Sequence, residues 1–334
     1  MPITAPIEVD VHLTPAEVAA ALADDVRRGL GAPGRWLPAK WLYDERGCAL
    51  FEAITELPEY YPTRAERAVL AASAADIAAA APAEVLVELG SGTSEKTRLL
   101  IDALLAGGSL RRFVAVDVAE ATLRAALADL AASRPGLEVA GVVGDFAAHL
   151  DRIPAGAGRR MVAFLGGTVG NFDEPHRLAF LATLADVLAP GEWLLLGTDL
   201  VKDPSRLVAA YDDASGVTAA FERNVLAVVN RELDADFALD RFAYVARWNA
   251  DLERIEMGLR SIGAQRVHVG ALDLTVDLAD GEEIGTEVSA KFRRAGIGRE
   301  LAAHGFAVRG WFTDPQPVEP GGDFAVTLAE RVAR

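Results

Sequence analysis

The sequence predicts an α/β fold in which a doubly wound parallel sheet carries a second, smaller α+β domain. Two observations lead to this prediction. From residue 84 to about residue 200, short apolar runs alternate with alanine- and leucine-rich helical stretches, which is the pattern of buried parallel strands joined by helices. After residue 204 a helical span is followed by runs in which apolar and polar residues alternate, which is typical of half-exposed antiparallel strands.

The first predicted element is a helical region over residues 14–80. It begins at Thr14-Pro15-Ala16-Glu17, a capping box with proline at the first helical position. Within this region the segment WLYDERGCALFEAITELPEYYPTRAE is rich in aromatic residues. We expect residues 1–62 to form the N-terminal helical part of the smaller domain.

Five apolar runs follow, and each is predicted to be a strand of the parent sheet: EVLVEL (84–89), RFVAVDV (112–118), LEVAGVV (137–143), MVAFLGG (161–167) and EWLLLGTDL (192–200). Residues 63–200 are therefore predicted to be one α/β domain. Residues 201–285 are predicted to be an insertion whose strands include RIEMGLRS and ALDLTVDLAD. Residues 286–334 are predicted to return to the parent sheet with FAVRGWFTD and DFAVTLAERVA.

Composition limits the classes of function. The chain has 33 basic and 49 acidic residues, and a formal net charge of −16 argues against binding nucleic acid or an anionic membrane through charge alone. The first ten residues lack a signal-peptide pattern and no apolar run approaches the ~20 residues of a membrane-spanning helix. We expect a cytoplasmic monomer with a small-molecule substrate. One cysteine and five widely spaced histidines argue against disulfides and a metal site.

The segment VELGSGTSEKT raises the question of which ligand it holds. Gly90, Lys96 and Thr97 fit the phosphate-binding pattern G-x-x-x-x-G-K-[ST], but Glu95 stands where that pattern has its second glycine. Glu95 also replaces the third glycine of the dinucleotide pattern G-x-G-x-x-G. Because a carboxylate adds negative charge beside a polyanionic ligand, both pyrophosphate interpretations are weakened.

S-adenosylmethionine has no phosphate, and it suits the residues at the carboxyl ends of the predicted strands, where ligands of such sheets bind. A tight glycine turn follows the first strand, and Asp117 ends the next strand, where it can accept hydrogen bonds from ribose hydroxyls. The third strand ends with an acceptor and a ring for adenine, and Lys96 would meet the methionine carboxylate. The predicted cofactor-binding residues are Gly90, Gly92, Lys96, Asp117, Asp145 and Phe146.

Five strings of the sequence closely resemble the histidine-specific Nα-methyltransferases of the ergothioneine pathway: LYDERGCALFEAITELPEYYPTRAE, VELGSGTSEKTRLL, GDF, FLGGTVGNF and IGTEVSAKF. The first and fourth strings are selective, because class I methyltransferases in general do not carry them. The resemblance runs from about residue 36 to the C-terminus. It implies a class I, Rossmann-like methyltransferase sheet and an enzyme that adds three methyl groups to the α-amino nitrogen of L-histidine, which is the first step of ergothioneine synthesis.

The resemblance also implies which residues bind histidine. By motif position, those that hold its amino-acid end would be Tyr60, Gly166, Asn171 and Tyr211. Those that hold its imidazole would be Glu287 and Ser289, with Met257 as a further substrate-binding residue. Glu287 and Ser289 are two apart, so on an extended segment they point to one side while Thr286 and Val288 point away. A carboxylate and a hydroxyl can satisfy one ring nitrogen each.

Methyl transfer to an amine depends mainly on alignment of the nucleophile, and it needs neither a metal ion nor a covalent intermediate. The amine must be unprotonated. No histidine or lysine is obviously placed as a strong base, so we expect desolvation to lower the amine pKa and the proton to leave through a tyrosine or water. Tyr43 and Tyr60 are the catalytic candidates, and their rings suit a quaternary ammonium through cation–π contact. Tyr43 is also assigned to the cofactor site.

Other interpretations stay open from the residues alone. Asn171 could cap the helix that begins at DEPHR, Tyr211 could be a core residue, and Glu287 could be a solvated acid. The chain could be an N-methyltransferase of another amino acid or small amine, a P-loop-like nucleotide-binding protein, or a silent module that binds S-adenosylmethionine without turnover. The predicted imidazole pair argues against the first, Glu95 against the second, and the intact Asn171 and Glu287 against the third.

Overall fold

The computed structural model describes residues 7–146, 148–153, 158–315, 317–318 and 321–333. The described chain forms two compact units, each built from separated stretches of sequence. Unit 1 contains the described parts of residues 1–13, 62–201 and 291–334. Unit 2 contains residues 14–61 and 202–290. Within the described ranges, every helix is too short or too polar to traverse a bilayer.

Unit 1 is organised around one mixed sheet. Its strands are β1 (Glu8–Val11), β2 (Val85–Leu89), β3 (Arg112–Asp117), β4 (Glu138–Val143), β5 (Arg160–Phe164), β6 (Trp193–Asp199), β12 (Phe306–Thr313) and β13 (Phe324–Arg331). Their spatial order is β1-β4-β3-β2-β5-β6-β13-β12. β13 runs antiparallel to β6 and β12, and the pairs from β1 to β6 are parallel. The order of the strands reverses between β2 and β5, so their carboxyl ends form a topological switch point.

The five predicted strands of the parent sheet are confirmed as β2 to β6, and the two C-terminal runs as β12 and β13. Every residue of β2, β5 and β6 is buried, as continuous apolar runs in a sheet covered on both faces must be. The helices of this unit are α3 (Pro62–Ala80), α4 (Thr97–Ala106), α5 (Glu120–Ser133), α6 (Glu174–Val187) and α9 (Arg294–Ala303). The predicted doubly wound α/β fold is therefore confirmed.

The described N-terminal residues belong to this sheet, whereas the sequence analysis places residues 1–62 with the smaller domain. β1 pairs in parallel with β4, from Glu8 opposite Ala140 to Val11 opposite Val143. β1 is a short edge strand with three of its four residues exposed. A strand of this length and polarity gives almost no apolar signal, which explains why the sequence pattern does not predict it.

Unit 2 combines four described helices with antiparallel strands. The helices are α1 (Pro15–Gly31), α2 (Glu45–Thr55), α7 (Pro204–Tyr211) and α8 (Val217–Leu233), and the strands are β7 (Phe242–Asn249), β8 (Arg254–Ser261), β9 (Gln265–Val269), β10 (Leu274–Leu278) and β11 (Glu283–Ala290). β11, β8 and β7 form one sheet in that order, and β9 pairs with β10. The predicted capping box at Thr14 is present, and β10 alternates as predicted, with Val276 and Leu278 buried.

The last strand of unit 2 crosses a predicted boundary. The insertion is predicted to end at residue 285, but β11 continues to Ala290 in antiparallel register with β8. The register contains a bulge: Gly285 lies opposite Gly258 and Glu287 lies opposite Met257, so Thr286 is an extra residue. Bulges of this kind redirect side chains and are common beside active sites.

Candidate active site

In unit 1, a glycine turn follows β2 at the switch point. Gly90 and Gly92 have φ angles of 66° and 48°, in the left-handed region that favours glycine. The Gly92 N–H donates to Asp117 Oδ2 at 2.8 Å, and the Ala119 N–H donates to Oδ1 at 2.9 Å. Asp117 therefore holds the turn in place. Since each carboxylate oxygen has two lone pairs, Asp117 keeps acceptor capacity for a ligand diol.

The predicted adenine residues lie beside this turn. Asp145 and Phe146 follow β4 after one intervening residue, Gly144, and the carboxyl end of β4 is next to that of β3. A Cβ added at Gly90 would lie 3.6 Å from the Phe146 ring, so the turn and the ring are in contact distance of each other. The ring packs edge-on against Phe164, with centroids 5.2 Å apart. The structure thus brings the glycine turn, the strand-end carboxylate and an aromatic ring together.

Beneath the turn lies Glu88, which the sequence analysis does not identify. Its side chain accepts hydrogen bonds from the hydroxyls of Ser94, at 2.7 Å, and Thr97. Burial raises the pKa of Glu88 to about 7. The available sequence signal is an acid inside the otherwise apolar run VLVEL.

Lys96 is brought together with Gly166 through a second unpredicted acid, Glu66. Lys96 Nζ forms an ion pair with Glu66 Oε2, and Glu66 Oε1 accepts from the Gly166 N–H at 2.7 Å. Glu66 is fully buried. A P-loop uses its lysine and its Ser/Thr on phosphate and metal, but here protein carboxylates engage both Lys96 and Thr97. This arrangement argues against the nucleotide-binding interpretation.

Asn171 ends a 3₁₀ turn, Thr168–Asn171, and is half-buried. It does not cap the following helix, because the N-cap of α6 is Asp173, which accepts from the His176 N–H at 3.0 Å. The capping interpretation of Asn171 is therefore wrong.

In unit 2, rings from three segments form an aromatic cluster made of Tyr43, Phe51, Tyr60, Tyr211 and Phe221. Successive rings meet edge-on: the centroid distance is 5.3 Å for Tyr43 and Phe221, and 5.8 Å for Tyr60 and Tyr211. Phe51 lies between Tyr43 and Tyr60, at 5.6 and 6.3 Å. Edge-to-face packing of this kind fixes each ring, and the hydroxyl of each tyrosine is its polar end.

The predicted substrate residues of unit 2 also lie together. Ser289 Oγ is 2.9 Å from the hydroxyl of Tyr211, and the Tyr244 hydroxyl donates to the Tyr211 carbonyl at 2.6 Å. Met257 is the cross-strand partner of Glu287, so their side chains share a face of the sheet. The sequence analysis does not include Tyr244.

The expected direction of Thr286 is corrected by the structure. From strand alternation, Thr286 is expected to point away from Glu287. In the structure, the side chains of Thr286 and Glu287 are both polar neighbours of Glu222. The bulge at Thr286 interrupts the alternation of the strand and explains this.

Glu222, on α8, is a functional candidate that the sequence analysis misses. It is 0% exposed, and neither carboxyl oxygen has a well-formed hydrogen bond within the described residues. Burial raises its pKa to about 7. A signal is present in the sequence, because Glu222 is spaced three and four residues before Val225 and Leu226 and so lies on the apolar face of its helix.

Tyr43 lies in unit 2, just before α2, and it remains a neutral phenol. Burial raises its pKa well above the ordinary value, and the nearby Glu287 carboxylate raises it further. Tyr43 can therefore donate a hydrogen bond or relay a proton, but its phenolate is not available as a base near neutral pH.

Residues 22–331 match the model of a family described as histidine-specific, SAM-dependent methyltransferases. The chain is 57% identical over 320 residues to a histidine N-alpha-methyltransferase of Mycolicibacterium smegmatis, an alignment that covers 96% of this chain and 98% of that one. It is 55% identical over 325 residues to a protein of the same name from Mycobacterium tuberculosis, with coverage of 97% and 99%. An ergothioneine biosynthesis protein 1 from Neurospora crassa is 35% identical over 200 residues, which cover 59% of this chain and 23% of that one.

Proposed function

The chain belongs to the family of histidine-specific, S-adenosylmethionine-dependent methyltransferases, and on that premise we propose that it transfers three methyl groups to the α-amino nitrogen of L-histidine. The product is trimethylhistidine, or hercynine, which places the chain at the first step of ergothioneine synthesis. The observation that carries the substrate assignment is the pair formed by half-buried Glu287 and buried Ser289 on β11. A carboxylate and a hydroxyl on one strand suit the two nitrogens of an imidazole ring.

Ring recognition in this proposal depends on fixed polar groups. Tyr211 holds the Ser289 hydroxyl at 2.9 Å, so that hydroxyl has a defined direction. Glu287 accepts the ring N–H, and Met257 packs beside it from the neighbouring strand. An amino acid without ring nitrogens brings no donor to the desolvated Glu287 carboxylate, which a site built on hydrogen bonds rejects strongly.

The donor residues of unit 1 fit S-adenosylmethionine, which supplies an electrophilic methyl group on a sulfonium when it is bound. Asp117 would accept from the ribose hydroxyls while it braces Gly92. Phe146 offers its ring to the adenine, and Asp145 offers an acceptor to the adenine amino group. Gly90 lets the backbone approach the ligand closely, as its positive φ allows. Lys96 is assigned to the methionine carboxylate of the ligand, which would compete with Glu66 for the ammonium group.

The remaining residues orient the amine and remove its proton. Tyr60, Gly166, Asn171 and Tyr211 are assigned to the amino-acid end of histidine. Desolvation lowers the amine pKa, so the lone pair is available for attack. Tyr43 and Tyr60 act through neutral hydroxyls that pass the proton to water, and their rings stabilise the quaternary ammonium product through cation–π contact. We further propose a cytoplasmic location, since the single cysteine, Cys48, suits a reducing compartment, and we propose that the chain is a monomer.

The test is product analysis by mass spectrometry after incubation of the purified protein with S-adenosylmethionine and L-histidine. We expect three methyl groups on one histidine, and fragmentation should place all of them on the α-nitrogen. Nα-acetyl-L-histidine is the matched control, because it keeps the ring and blocks the amine, and it should gain no methyl group. Methylation of a ring nitrogen, or of the acetylated control, would contradict the proposal.

A further inference from the structure

The reaction described above leaves Glu222 without a role, although its burial is complete. Its carboxyl group has two polar neighbours, the Thr286 hydroxyl and the Glu287 carboxyl, both from β11. Thr286 Oγ1 is also buried without a well-formed hydrogen bond in the described part of the chain. Burial disfavours an ionised carboxylate here more than its two polar neighbours, Thr286 and Glu287, favour it, so the net effect is a raised pKa of Glu222.

We propose that Glu222 is a positioning residue for ring recognition: it is a neutral carboxylic acid whose O–H donates to the Glu287 carboxylate and holds it charged and aimed at the substrate ring. The inference rests on the proposed function, because it concerns the residue assigned to the imidazole. Two carboxyl groups in contact cannot both ionise at low cost, so the pair retains one proton. The proton belongs on the more buried member, and Glu287 is half-buried whereas Glu222 is 0% exposed.

Burial of Glu222 favours the acid form and outweighs the hydrogen-bonding contributions of Thr286 and Glu287, which lower its pKa. Glu222 interacts electrostatically with three titratable groups among the described residues. They are Glu287 from β11, Tyr43 from the segment before α2, and Tyr244 from β7. Burial raises the pKa of both tyrosines, so they are neutral hydroxyls. Burial also raises the pKa of Glu222 to about 7, so its proton persists up to about neutral pH.

A neutral Glu222 changes what Glu287 can do. The pair then carries a single negative charge, and one lone pair of Glu287 accepts the O–H of Glu222. Removing the Glu222 donor takes away one restraint on the Glu287 side chain, so the position of the acceptor for a ring N–H is less well defined. We therefore expect Glu222 to affect histidine binding and selectivity more than the chemical step.

Three variants test the proposal kinetically. Glu222→Gln keeps a neutral donor of the same shape, and we expect its KM for histidine to stay within about threefold of the wild type. Glu222→Leu removes the donor, and we expect KM to rise at least about tenfold with a smaller change in kcat. Glu232→Gln is the matched control, since Glu232 is an exposed acid on the same helix. An unchanged KM in Glu222→Leu, or equal losses in the Gln and Leu variants, would overturn the proposal.

An infrared titration gives a readout that is independent of turnover. A protonated carboxylic acid has a carbonyl stretch that is separate from that of a carboxylate. Among the described residues, the buried acids Glu88 and Glu222 should contribute to this band near pH 6. Glu222→Gln should lose part of this band and Glu232→Gln should keep all of it. An identical band in Glu222→Gln would contradict a neutral Glu222. If the wild type does not methylate histidine while the band behaves as expected, the proposed function fails and the protonation assignment survives.

Discussion

At the scale of single residues, selectivity is assigned to polar groups that are fixed before the substrate arrives. Ser289 is held by Tyr211, and Glu287 faces Met257 on one side and Glu222 on another. A desolvated acceptor that loses a hydrogen-bond donor is destabilised, so this arrangement discriminates against substrates that bring no ring N–H. Removing the carboxylate should therefore weaken discrimination as well as binding.

We predict that Glu287→Ala lowers kcat/KM for histidine by two or more orders of magnitude, and lowers any turnover of phenylalanine or tryptophan much less. The measurement is steady-state kinetics with each amino acid in turn. Glu283→Ala is a suitable control, because Glu283 lies on the same strand and pairs with Arg247 and Arg260. Equal losses for all three amino acids would contradict the assignment of Glu287 to the ring.

We predict that the double variant with Tyr43→Phe and Tyr60→Phe methylates more slowly and accumulates products with fewer than three methyl groups. The expected reason is that the two hydroxyls pass on the proton released after the first and second transfers. A time course of product masses measures both effects. An unchanged rate and an unchanged distribution of methyl number would show that neither hydroxyl takes part.

The contacts of some site residues cannot be predicted from sequence patterns. The acid Glu222 can be placed on the apolar face of its helix from spacing alone, but its contact with Glu287 depends on how α8 packs against β11. The direction of Thr286 depends on a bulge that is set by pairing with β8. The roles of Glu66 and Glu88 likewise depend on which backbone and hydroxyl groups the fold brings to them.

At the scale of elements, the glycine turn after β2 is held by hydrogen bonds to two carboxylate side chains, Glu88 and Asp117. Glu88 accepts from the hydroxyls of Ser94 in the turn and Thr97 at the start of α4, and Asp117 accepts from the Gly92 N–H. Glu88 has a folded pKa of about 7 against an ordinary value of 4.5. Its stabilising contribution is therefore fully present below about pH 4.5 and is lost as the pH rises through about 7.

We predict that the melting temperature of Glu88→Gln rises relative to that of the wild type between about pH 5 and about pH 8. The wild type must bury a charge at the higher pH, which costs about 3 kcal/mol at most, and glutamine has no charge to bury. Calorimetry at both pH values measures the difference. Glu120→Gln, which changes an exposed acid on α5, should show no such pH dependence. If the difference in melting temperature between Glu88→Gln and the wild type is the same at both pH values, the pKa of Glu88 is not raised.

Element boundaries divide into those that apolar patterning can predict and those that it cannot. The fully buried strands β2, β5 and β6 have continuous apolar runs, so the sequence predicts them closely. β1 has no such run, and only its pairing with β4 makes it a strand. β11 extends past its predicted boundary because its register with β8 continues to Ala290.

At the scale of the whole molecule, each unit is assembled from stretches that are far apart in sequence. Residues 14–61 and 202–290 together make unit 2, so the tyrosines of the N-terminal segment join the polar groups of the insertion. The sequence predicts the class of both units, because strand and helix periodicity are local signals. It does not predict which acids become buried partners, because those contacts arise between stretches.

The central claim is that this chain methylates the α-nitrogen of histidine in preference to other amino acids. The most direct measurement is mass spectrometry of the products after the purified protein is incubated with S-adenosylmethionine and an equimolar mixture of the twenty amino acids. We expect histidine alone to gain methyl groups and to end with three. Methylation of a different amino acid would contradict the assignment of Glu287 and Ser289, and the absence of any methylated product would contradict the proposed activity itself.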